Sequence, residues 1–280
     1  MRSEKQPKMP NSRRNLDMAL QRLYGAGARL VQVRMVMANT IVGQMLPDVV
    51  IKGGTSLRLR YGRESTRYTV DCDVARRTGL EAFVSGLRAA LSRGWNGFTG
   101  DLVTKIPANP KGVPAEYVMQ PFEVKLAYLG RSWCTVPLEV GINEVGLADA
   151  PDVCPVALDI AELFTSLGFP EPNPLPLMPL TFQIAQKLHG ASSSNSDRAR
   201  DLIDLQLIMA NDAIDLSVVR HICERLFKYR QCQAWPPVIR KGDRWAELYD
   251  AQKGVLPVLE TVDKAIAWAN TLISKIDSAS

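Results

Sequence analysis

Histidine and cysteine are scarce in this chain. Among its 280 residues there are two histidines and five cysteines. The cysteines are odd in number and none stands in a CxxC pair, a pattern that favours reduced thiols in a cytoplasmic protein and argues against a zinc site. Two histidines are also too few for metal chemistry that depends on several imidazole ligands.

A long uninterrupted apolar run is missing as well. The most apolar stretch, residues 28–46, contains Arg29, Arg34 and two glutamines, so it is expected to form a core helix and not a membrane span. Residues 1–14 are polar and basic, and no apolar run follows them that could serve as a signal peptide. We therefore expect a cytoplasmic protein without a membrane partner.

The composition that is present is globular, with one concentrated basic region. Apolar residues make up 46% of the chain, charged residues make up 22%, and the net charge is +5. A local positive charge favours a polyanionic partner, because neutralised phosphates release counterions. The alternative is the solvated face of an ordinary helix. The candidate polyanion-binding residues are Arg58, Arg60, Arg63, Arg76 and Arg77.

The spacing of apolar residues predicts a mixed α/β or α+β fold. A buried strand at residues 49–51 ends at a Gly-Gly pair, and a helix follows. Residues 67–74 alternate like a second strand, with their acidic residues on one face. Further helices are expected at residues 12–24, 26–45, 79–92, 181–191, 197–210, 216–229 and 255–276, and further strands at residues 101–105, 117–129 and 132–142.

The chain is expected to divide where its composition changes. Residues 1–46 are predicted to form N-terminal helices, preceded by a flexible basic arm at residues 1–11. Residues 47–169 carry the sheet. Residues 170–180 contain five prolines and are expected to be a stiff linker without regular structure. Residues 181–280 are predicted to form a C-terminal helical domain.

Two acidic residues stand two positions apart in the second predicted strand. Because residues i and i+2 of a strand project from one face, Asp71 and Asp73 are expected to place two carboxylates side by side. Like charges that close need a cation between them, and Mg²⁺ takes a few carboxylates together with the phosphate oxygens of a substrate. Glu139, an acid in an otherwise apolar strand, is the candidate third ligand. The alternatives are an ordinary surface Asp-x-Asp pair and an edge-strand charge at Glu139.

The turn before that strand offers a place for phosphate groups. Glycine lets a backbone approach a ligand closely, and the N–H groups at a helix N-terminus bind phosphates. The segment Lys52-Gly53-Gly54-Thr55-Ser56 has this pattern and adds two hydroxyls. It lacks the GxxxxGK[ST] sequence of a Walker loop. A plain strand-to-helix turn with a hydroxyl cap is the alternative.

A second group of charged residues lies in the predicted C-terminal helices. Lys187 stands on one helix, and Asp201 and Asp204 stand on the next. By spacing alone, such residues are most simply a surface ion pair, worth roughly 0–1 kcal/mol. His189 is expected to be a packing residue.

Taken together, these segments resemble the AbiEii family of nucleotidyltransferase-like toxins, which includes the MenT-type toxins of mycobacteria. The resemblance covers most of the chain. One departure is Cys72, which stands between the two aspartates where an aliphatic residue is more usual. The matching segments are KGGTSL at residues 52–57, Arg67-x-Thr69-x-Asp71-x-Asp73, LEV around Glu139, and AQKLHGA…RARDLIDL at residues 185–205.

The resemblance implies a fold and an activity. The fold is a DNA polymerase β-like nucleotidyltransferase core followed by a helical domain. The activity is the Mg²⁺-dependent transfer of a nucleotide from an NTP to RNA, with the 3′ end of tRNA as the expected acceptor, which blocks translation. Such a protein is the toxin of a type IV-style toxin–antitoxin or phage-defence system, and a cognate antitoxin neutralises it.

The resemblance also implies roles for individual residues. Lys187 would contact the triphosphate, and Asp204 or Asp201 would complete the site. The basic residues given above would bind the RNA backbone. The implied nucleotide-binding residues are Lys52, Gly53, Gly54, Thr55, Ser56, Arg67 and Thr69, and the implied magnesium ligands are Asp71, Asp73 and Glu139.

Two other functions use the same residues. One is a transferase that adenylylates a protein or a small molecule such as an antibiotic. The other is a non-catalytic module that sequesters nucleotide or RNA. Acceptor assays separate the first from RNA modification, and nucleotide-dependent thermal stabilisation without turnover would support the second.

Overall fold

The structure, a computed structural model, describes residues 7–107, 118–194 and 196–280. The chain divides into two compact units. The main boundary, between residues 177 and 178, falls inside the predicted proline-rich linker. Two short stretches that precede this boundary nevertheless belong to the second unit, so the second unit is not one consecutive segment. The first unit comprises residues 1–63, 68–143 and 151–177, and the second comprises residues 64–67, 144–150 and 178–280.

The first unit is built on a mixed sheet. The described strands lie in the order 3-4-5-2-1-7-6. The second strand is antiparallel to the first and parallel to the fifth, and the seventh is parallel to the first. The predicted mixed α/β fold class is confirmed. The strands are β1 (Val49–Lys52), β2 (Cys72–Arg76), β3 (Phe98–Thr104), β4 (Gln120–Tyr128), β5 (Arg131–Gly141), β6 (Asp152–Cys154) and β7 (Leu175–Leu177).

The helices of the first unit begin and end at recognisable signals. Ser12 Oγ accepts a hydrogen bond from Asn15 N at 3.2 Å, so Ser12 caps the first helix as its residue type predicts. The second helix ends before Pro47, because proline cannot continue it. The helices are α1 (Arg13–Tyr24), α2 (Ala28–Met45), α3 (Gly53–Tyr61), α4 (Leu80–Arg93) and α5 (Leu158–Ser166), of which the last has no counterpart among the predicted helices.

The strands predicted at residues 117–129 and 132–142 correspond to β4 and β5, which pair as an antiparallel hairpin. Leu129 and Gly130 connect the two strands with φ angles of 46° and 72°, the left-handed conformation that two-residue hairpin turns require. Along β5, Leu138 and Val140 are buried and alternate with Glu139. The apolar face of this strand therefore belongs to the core, and Glu139 projects from the opposite face.

The strand β2 is shorter than its alternating pattern predicts. It begins only at Cys72, so Thr69 and Asp71 precede it. In the parallel register with β5, Cys72 faces Leu138, and the preceding pair would be Asp71 with Pro137. Proline has no N–H to donate, so the ladder stops there. The rule that residues i and i+2 share a strand face therefore does not apply to the two aspartates.

The proline-rich segment contains a strand, contrary to the expectation that it has no regular structure. Leu175–Leu177 form β7, in which Leu177 is in register with Ile51 of β1. Leu175 and Leu177 are buried, and Pro176 alternates with them. A proline donates nothing to the ladder but is tolerated in a strand that makes few bonds. Burial of Leu175 and Leu177 in the core therefore favours a strand in this segment.

Part of the predicted flexible arm is packed against the first unit. Pro10 O accepts a hydrogen bond from Tyr128 Oη at 2.5 Å. A Cβ built on Gly168 would lie 2.5 Å from backbone atoms of residues 7 and 8, so the chain passes directly over this glycine. The rest of the arm, residues 1–6, and Tyr117, the first residue of the strand predicted at 117–129, lie outside the described residues.

The second unit is built mainly from helices. Its last helix begins at Val262 and not at 255, since Pro257 cannot lie inside a helix and Thr261 caps the new start by accepting from Lys264 N at 3.3 Å. No helix in the described ranges is both long enough and apolar enough to cross a membrane. The helices are α6 (Leu180–Ser192), α7 (Arg200–Asn211), α8 (Leu216–Arg230), α9 (Trp245–Lys253), which was not predicted, and α10 (Val262–Asp277).

Candidate active site

Three polar residues form a row across the middle of the sheet in the first unit. Asp73 of β2 is in register with Lys52 of β1 on one side and with Glu139 of β5 on the other. Residues in register on adjacent strands project from the same face. The Lys52–Asp73–Glu139 row therefore places two carboxylates next to each other, with a lysine beside them.

Lys52 supplies the positive charge of this row. A Cβ built on Gly141 would lie 3.2 Å from Lys52 Nζ, and Gly141 is two residues beyond Glu139 on the same strand. Nζ is also 3.7 Å from Met119 Sδ. The ammonium group thus extends past Asp73 toward the end of β5. There it offsets part of the repulsion between the two carboxylates.

Gly53 has its backbone directly against the carboxylate of Asp73. Its φ of +67° lies in the left-handed region, and a Cβ built on it would overlap Asp73 Oδ2. Gly53 is the first residue of α3, where free N–H groups and the helix dipole favour a negative charge. In the structure the Asp73 carboxylate approaches this glycine. The predicted approach of a phosphate to the same turn stays a prediction.

We expect Gly53→Ala to disturb the site more than the fold. A side chain at a positive φ costs about 1–2 kcal/mol, and the added methyl would push the Asp73 carboxylate away. Any activity that uses these carboxylates should fall at least about tenfold, because a displacement of about 1 Å near reacting groups has effects of that size or larger. Gly79→Ala is the matched control, since Gly79 caps α4 with a negative φ of −58° and has nothing within 4 Å of a built Cβ. Equal activities of the two variants would contradict the role given to Gly53.

The hydroxyl residues of the turn face the protein interior. Thr55 and Ser56 are 2% and 0% exposed. Thr55 Oγ1 donates to Asp71 O at 2.5 Å, which ties α3 to the chain immediately before β2. Gly54 is buried beside them. In this turn, Gly53 lies against the Asp73 carboxylate and Lys52 is in register with Asp73.

The carboxylates of the first unit suit Mg²⁺ as ligands. Carboxylate oxygens are the hard ligands that Mg²⁺ prefers, and one or two of them suffice when substrate phosphates provide others. Asp73 in the row and the exposed Asp71 just before it meet this requirement. In the described part of the chain, no three His, Cys, Asp or Glu side chains are grouped so that they could hold a metal. Asp71 precedes β2, so only Asp73 and Glu139 are related by strand register, and the role of Glu139 as a third ligand stays a prediction.

Cys72 is a core residue. It lies in the buried apolar cluster of the first unit. Burial, with smaller contributions from Asp73 and Asp71, raises the pKa of its thiol. A neutral thiol inside the core packs like a small apolar side chain. Cys72 therefore has no part in the chemistry of the neighbouring aspartates.

A second cluster of predicted site residues lies within the second unit. Arg67 binds Asp204 through two hydrogen bonds, Nε to Oδ1 and Nη2 to Oδ2, both 2.9 Å long. Lys187 Nζ donates to Asp204 Oδ2 at 2.5 Å and to Asp201 Oδ1 at 3.4 Å. Arg198 Nε donates to Asp201 Oδ2 at 2.6 Å. The sequence predicts a surface ion pair here, but the structure has a buried network.

The pKa values of this cluster follow from its pairing. Burial alone would raise the pKa of Asp204, but Arg67 and Lys187 outweigh it and lower the pKa to about 2. The pKa of Asp201 is also lowered, since Arg198 and Lys187 overcome the opposing effect of burial. Burial would lower the pKa of Arg67, but Asp204 raises it. Both carboxylates are therefore ionised at neutral pH.

Gly190 makes room for part of this cluster. A Cβ built on it would lie 2.6 Å from Arg198 Nε and 3.0 Å from Asp201 Oδ2. Arg198 can therefore cross α6 to reach Asp201 only because residue 190 has no side chain. This explains the glycine in the sequence Lys-Leu-His-Gly-Ala, which helix propensity alone would disfavour.

The arrangement of carboxylates, glycine turn and helical charge cluster agrees with a family match. The family model described as nucleotidyl transferase AbiEii toxin, type IV TA system, matches residues 40–268. The protein belongs to the AbiEii toxin family. It is thus a nucleotidyltransferase of the toxin–antitoxin class, and the family implies an NTP substrate and a cognate antitoxin.

Two solved structures are similar to this chain at low sequence identity. MenT4, a nucleotidyltransferase toxin of Mycobacterium tuberculosis H37Rv, is 18% identical, with a TM-score of 0.57 over 94% of this chain and 90% of the other. JHP933 of Helicobacter pylori is 15% identical, with a TM-score of 0.44 over 90% of this chain and 93% of the other. No curated protein matches the chain. At these identities the likeness to MenT4 concerns the fold.

The arginines that follow the glycine turn of this AbiEii protein have intramolecular partners. Arg58 is 5% exposed, and its guanidinium lies 5.6 Å from the centre of the Tyr68 ring. Arg60 Nη2 is 2.7 Å from Asp152 Oδ2, and Arg63 binds Asp159 through its backbone N and its Nε. Arg76 donates to Thr78 O and Arg77 pairs with Asp48. The spacing of these arginines in the sequence does not reveal intramolecular partners that lie about 90 positions away. Their role in RNA binding stays a prediction.

Substitution of Arg63 tests whether this arginine stabilises the fold through Asp159 or binds RNA. We expect Arg63→Gln to lower the free energy of unfolding by about 1–3 kcal/mol, as expected for a lost hydrogen bond to a charged group. RNA affinity of the folded variant should be unchanged. Urea unfolding and an RNA-binding titration provide the two measurements. Arg88→Gln is the control, because Arg88 is exposed on α4. A weaker RNA complex with unaltered stability would show instead that Arg63 serves the RNA.

A further, partly buried network of the AbiEii protein was not predicted from the sequence. Arg230 binds Glu144 with two hydrogen bonds, of 3.2 and 2.6 Å, and Gln186 donates to the same carboxylate at 3.1 Å. Arg230 also approaches His189 Nδ1 at 3.3 Å. Burial, then Arg230 and Arg198, lowers the pKa of His189 to about 3, so it is neutral and packs against Phe227. Glu144 had no recognisable motif around it that could have indicated this role.

Proposed function

We propose that this AbiEii toxin transfers a nucleotide from an NTP to RNA, with the 3′ end of tRNA as the acceptor, and thereby blocks translation. The 3′-hydroxyl oxygen attacks the α-phosphorus, the bond between the α-phosphorus and the bridging oxygen breaks, and pyrophosphate leaves. The observation that carries the proposal is the Lys52–Asp73–Glu139 row, with the Asp73 carboxylate held against Gly53 at the N-terminus of α3.

Asp71 and Asp73 are the residues that would hold Mg²⁺, and Glu139 lies next to Asp73 in register. When bound, the ion neutralises phosphate charge and lowers the pKa of the attacking hydroxyl. Lys52 adds a positive charge beside the carboxylates, and Gly53 fixes the position of Asp73. From the resemblance, Lys187 is the proposed triphosphate contact, and Asp204 and Asp201 hold its ammonium group.

The arginines have smaller roles in this proposal, and Thr69 stays a predicted nucleotide-binding residue. Arg76 and Arg77 are partly or fully exposed near the end of β2 and suit phosphodiester contacts. Arg67 acts through Asp204, to which it is bound by two hydrogen bonds. In this proposal the cognate antitoxin restrains the protein in the cytoplasm, where both NTP and tRNA are found.

The proposal is tested by incubating the protein with total RNA, Mg²⁺ and each α-labelled NTP in turn. A labelled RNA band that Asp71→Ala abolishes would establish the reaction, the nucleotide and the acceptor. Asp101→Ala is the matched control, since Asp101 is an exposed aspartate of β3. Label found in a protein or a small molecule instead of RNA would identify that molecule as the acceptor. Nucleotide binding without any labelled product would overturn the enzymatic proposal in favour of a binding module.

A further inference from the structure

The segment between α8 and α9, residues 231–244, combines an aromatic residue with positive charge. We call it the 231–244 loop; its sequence is QCQAWPPVIRKGDR. It contains Trp235 and three cationic residues against the single acid Asp243. An aromatic ring next to cationic side chains is typical of surfaces that bind single-stranded nucleic acid. None of the site residues described above lies in this loop.

The first part of the loop lines a cavity of about 670 Å³. Trp235 forms part of its wall and is half-buried. The indole Nε1 donates to Asp277 Oδ1 at 3.0 Å, and the ring meets Phe227 edge-on, with 5.3 Å between ring centres. The orientation of the indole is therefore set before any ligand binds. A ring held in this way stacks on a base with little loss of side-chain entropy.

The later part of the loop lines a second cavity of about 590 Å³. Arg240 is exposed there and makes no hydrogen bond or ion pair with any residue that the structure describes. Lys241 and Arg244 pair with Asp263 and Glu247, at 2.9 and 3.4 Å. Both pairs are exposed, so they are weak and can be exchanged for a phosphate.

The two cavities are neighbours. Gln233, which lines the first cavity, donates from Nε2 to Ser192 Oγ at 3.0 Å, and Ser192 lines the second. Their charges differ. Two carboxylates, those of Glu224 and Asp277, and a single lysine line the first cavity, which therefore suits a neutral base. Three cations and two acids line the second, and its unpaired arginine suits a phosphodiester.

We propose that the 231–244 loop binds a single-stranded segment of the acceptor RNA. An unpaired base stacks on Trp235 in the first cavity, and a neighbouring phosphodiester contacts Arg240, with Lys241 beside it, in the second. Recognition by stacking and backbone charge is tolerant of sequence. The inference rests on the proposed function in one respect, namely that the acceptor is RNA.

The test is the binding of a fluorescein-labelled single-stranded 12-nucleotide oligo(A) RNA, followed by anisotropy without NTP or metal. Trp235→Leu should weaken binding roughly 5- to 150-fold, the effect of losing one stacked base. Arg240→Ala/Lys241→Ala should reduce the slope of log affinity against log salt by about 0.7, the value for one lost phosphate contact. Because Trp235 also packs on Phe227, this exposed double variant repeats the test without disturbing a packed ring. Arg88→Ala, which removes an exposed arginine from α4, should bind like the wild type.

The outcomes separate this inference from the proposed function. Asp73→Asn should bind the RNA normally and transfer nucleotide at least about 10²–10³-fold more slowly. If the wild type binds RNA through Trp235 and Arg240 but labels no RNA, the loop assignment stands and the proposed reaction falls. If Trp235→Leu and the double variant bind RNA as tightly as Arg88→Ala, the loop assignment is overturned. If Trp235→Leu and the double variant bind RNA normally but no longer bind the cognate antitoxin, the loop is assigned to a protein partner.

Discussion

Asp73→Asn is expected to reduce nucleotide transfer by at least about 10²–10³-fold, the usual effect of removing one group that stabilises developing charge. The substitution keeps the size of the side chain and removes its negative charge. Since Asp73 lies between Lys52 and Glu139 in register, the amide would also leave the lysine without its neighbouring anion. Single-turnover transfer of an α-labelled nucleotide to RNA is the measurement.

The matched variants for Asp73 are chosen by position. Asp101→Asn changes an exposed aspartate on β3 and should retain full activity. Glu139→Gln should have an effect between the two if Glu139 only adjusts the charge of the row, and an effect equal to that of Asp73→Asn if it is a ligand. Retention of wild-type transfer by Asp73→Asn, with the protein folded, would remove the row from the mechanism.

Asp204→Asn is expected to lower the free energy of unfolding by about 3–5 kcal/mol, because it leaves two buried cations without their shared carboxylate. Asp204 is 1% exposed, and it accepts both hydrogen bonds of Arg67 and the shorter bond of Lys187. Asp250→Asn is the control, since Asp250 forms an exposed pair with Lys253 and such pairs contribute at most about 1 kcal/mol. Denaturant unfolding measures both. A loss below about 1 kcal/mol for Asp204→Asn would show that the cluster is not maintained in solution.

The same carboxylate predicts a dependence of stability on pH. The pKa of Asp204 is about 2 in the folded protein, whereas an aspartate in an unfolded chain has a pKa near 3.9. The unfolded state thus binds the proton more readily. The contribution of the ionised Asp204 carboxylate to the free energy of unfolding is complete above about pH 4 and is lost as the pH falls toward 2. Asp204→Asn should therefore show a smaller decrease in stability than the wild type over this range.

The features of the fold and the site that depend on nearby residues could be predicted from the sequence. Ser12 caps α1, Pro47 follows the end of α2, and the glycine at the β4–β5 turn allows the hairpin. These features follow from dihedral preferences and hydrogen-bonding groups that act over a few positions. The Gly-Gly-Thr-Ser turn before a helix and the position of Glu139 within an apolar strand are equally local, so they could be predicted.

The partners of the charged residues depend on the tertiary structure. The sequence does not show that Gly53 lies against Asp73, that Pro137 ends the pairing of β2 before Asp71, or that Arg67 binds Asp204 across 137 positions. Each of these depends on strand register or on packing between distant segments. Electrostatic and steric contacts act through space, and a single sequence records only the order of residues along the chain. The chemistry of the residues could therefore be read from the sequence, while their assembly into a carboxylate row and a buried ion cluster required the fold.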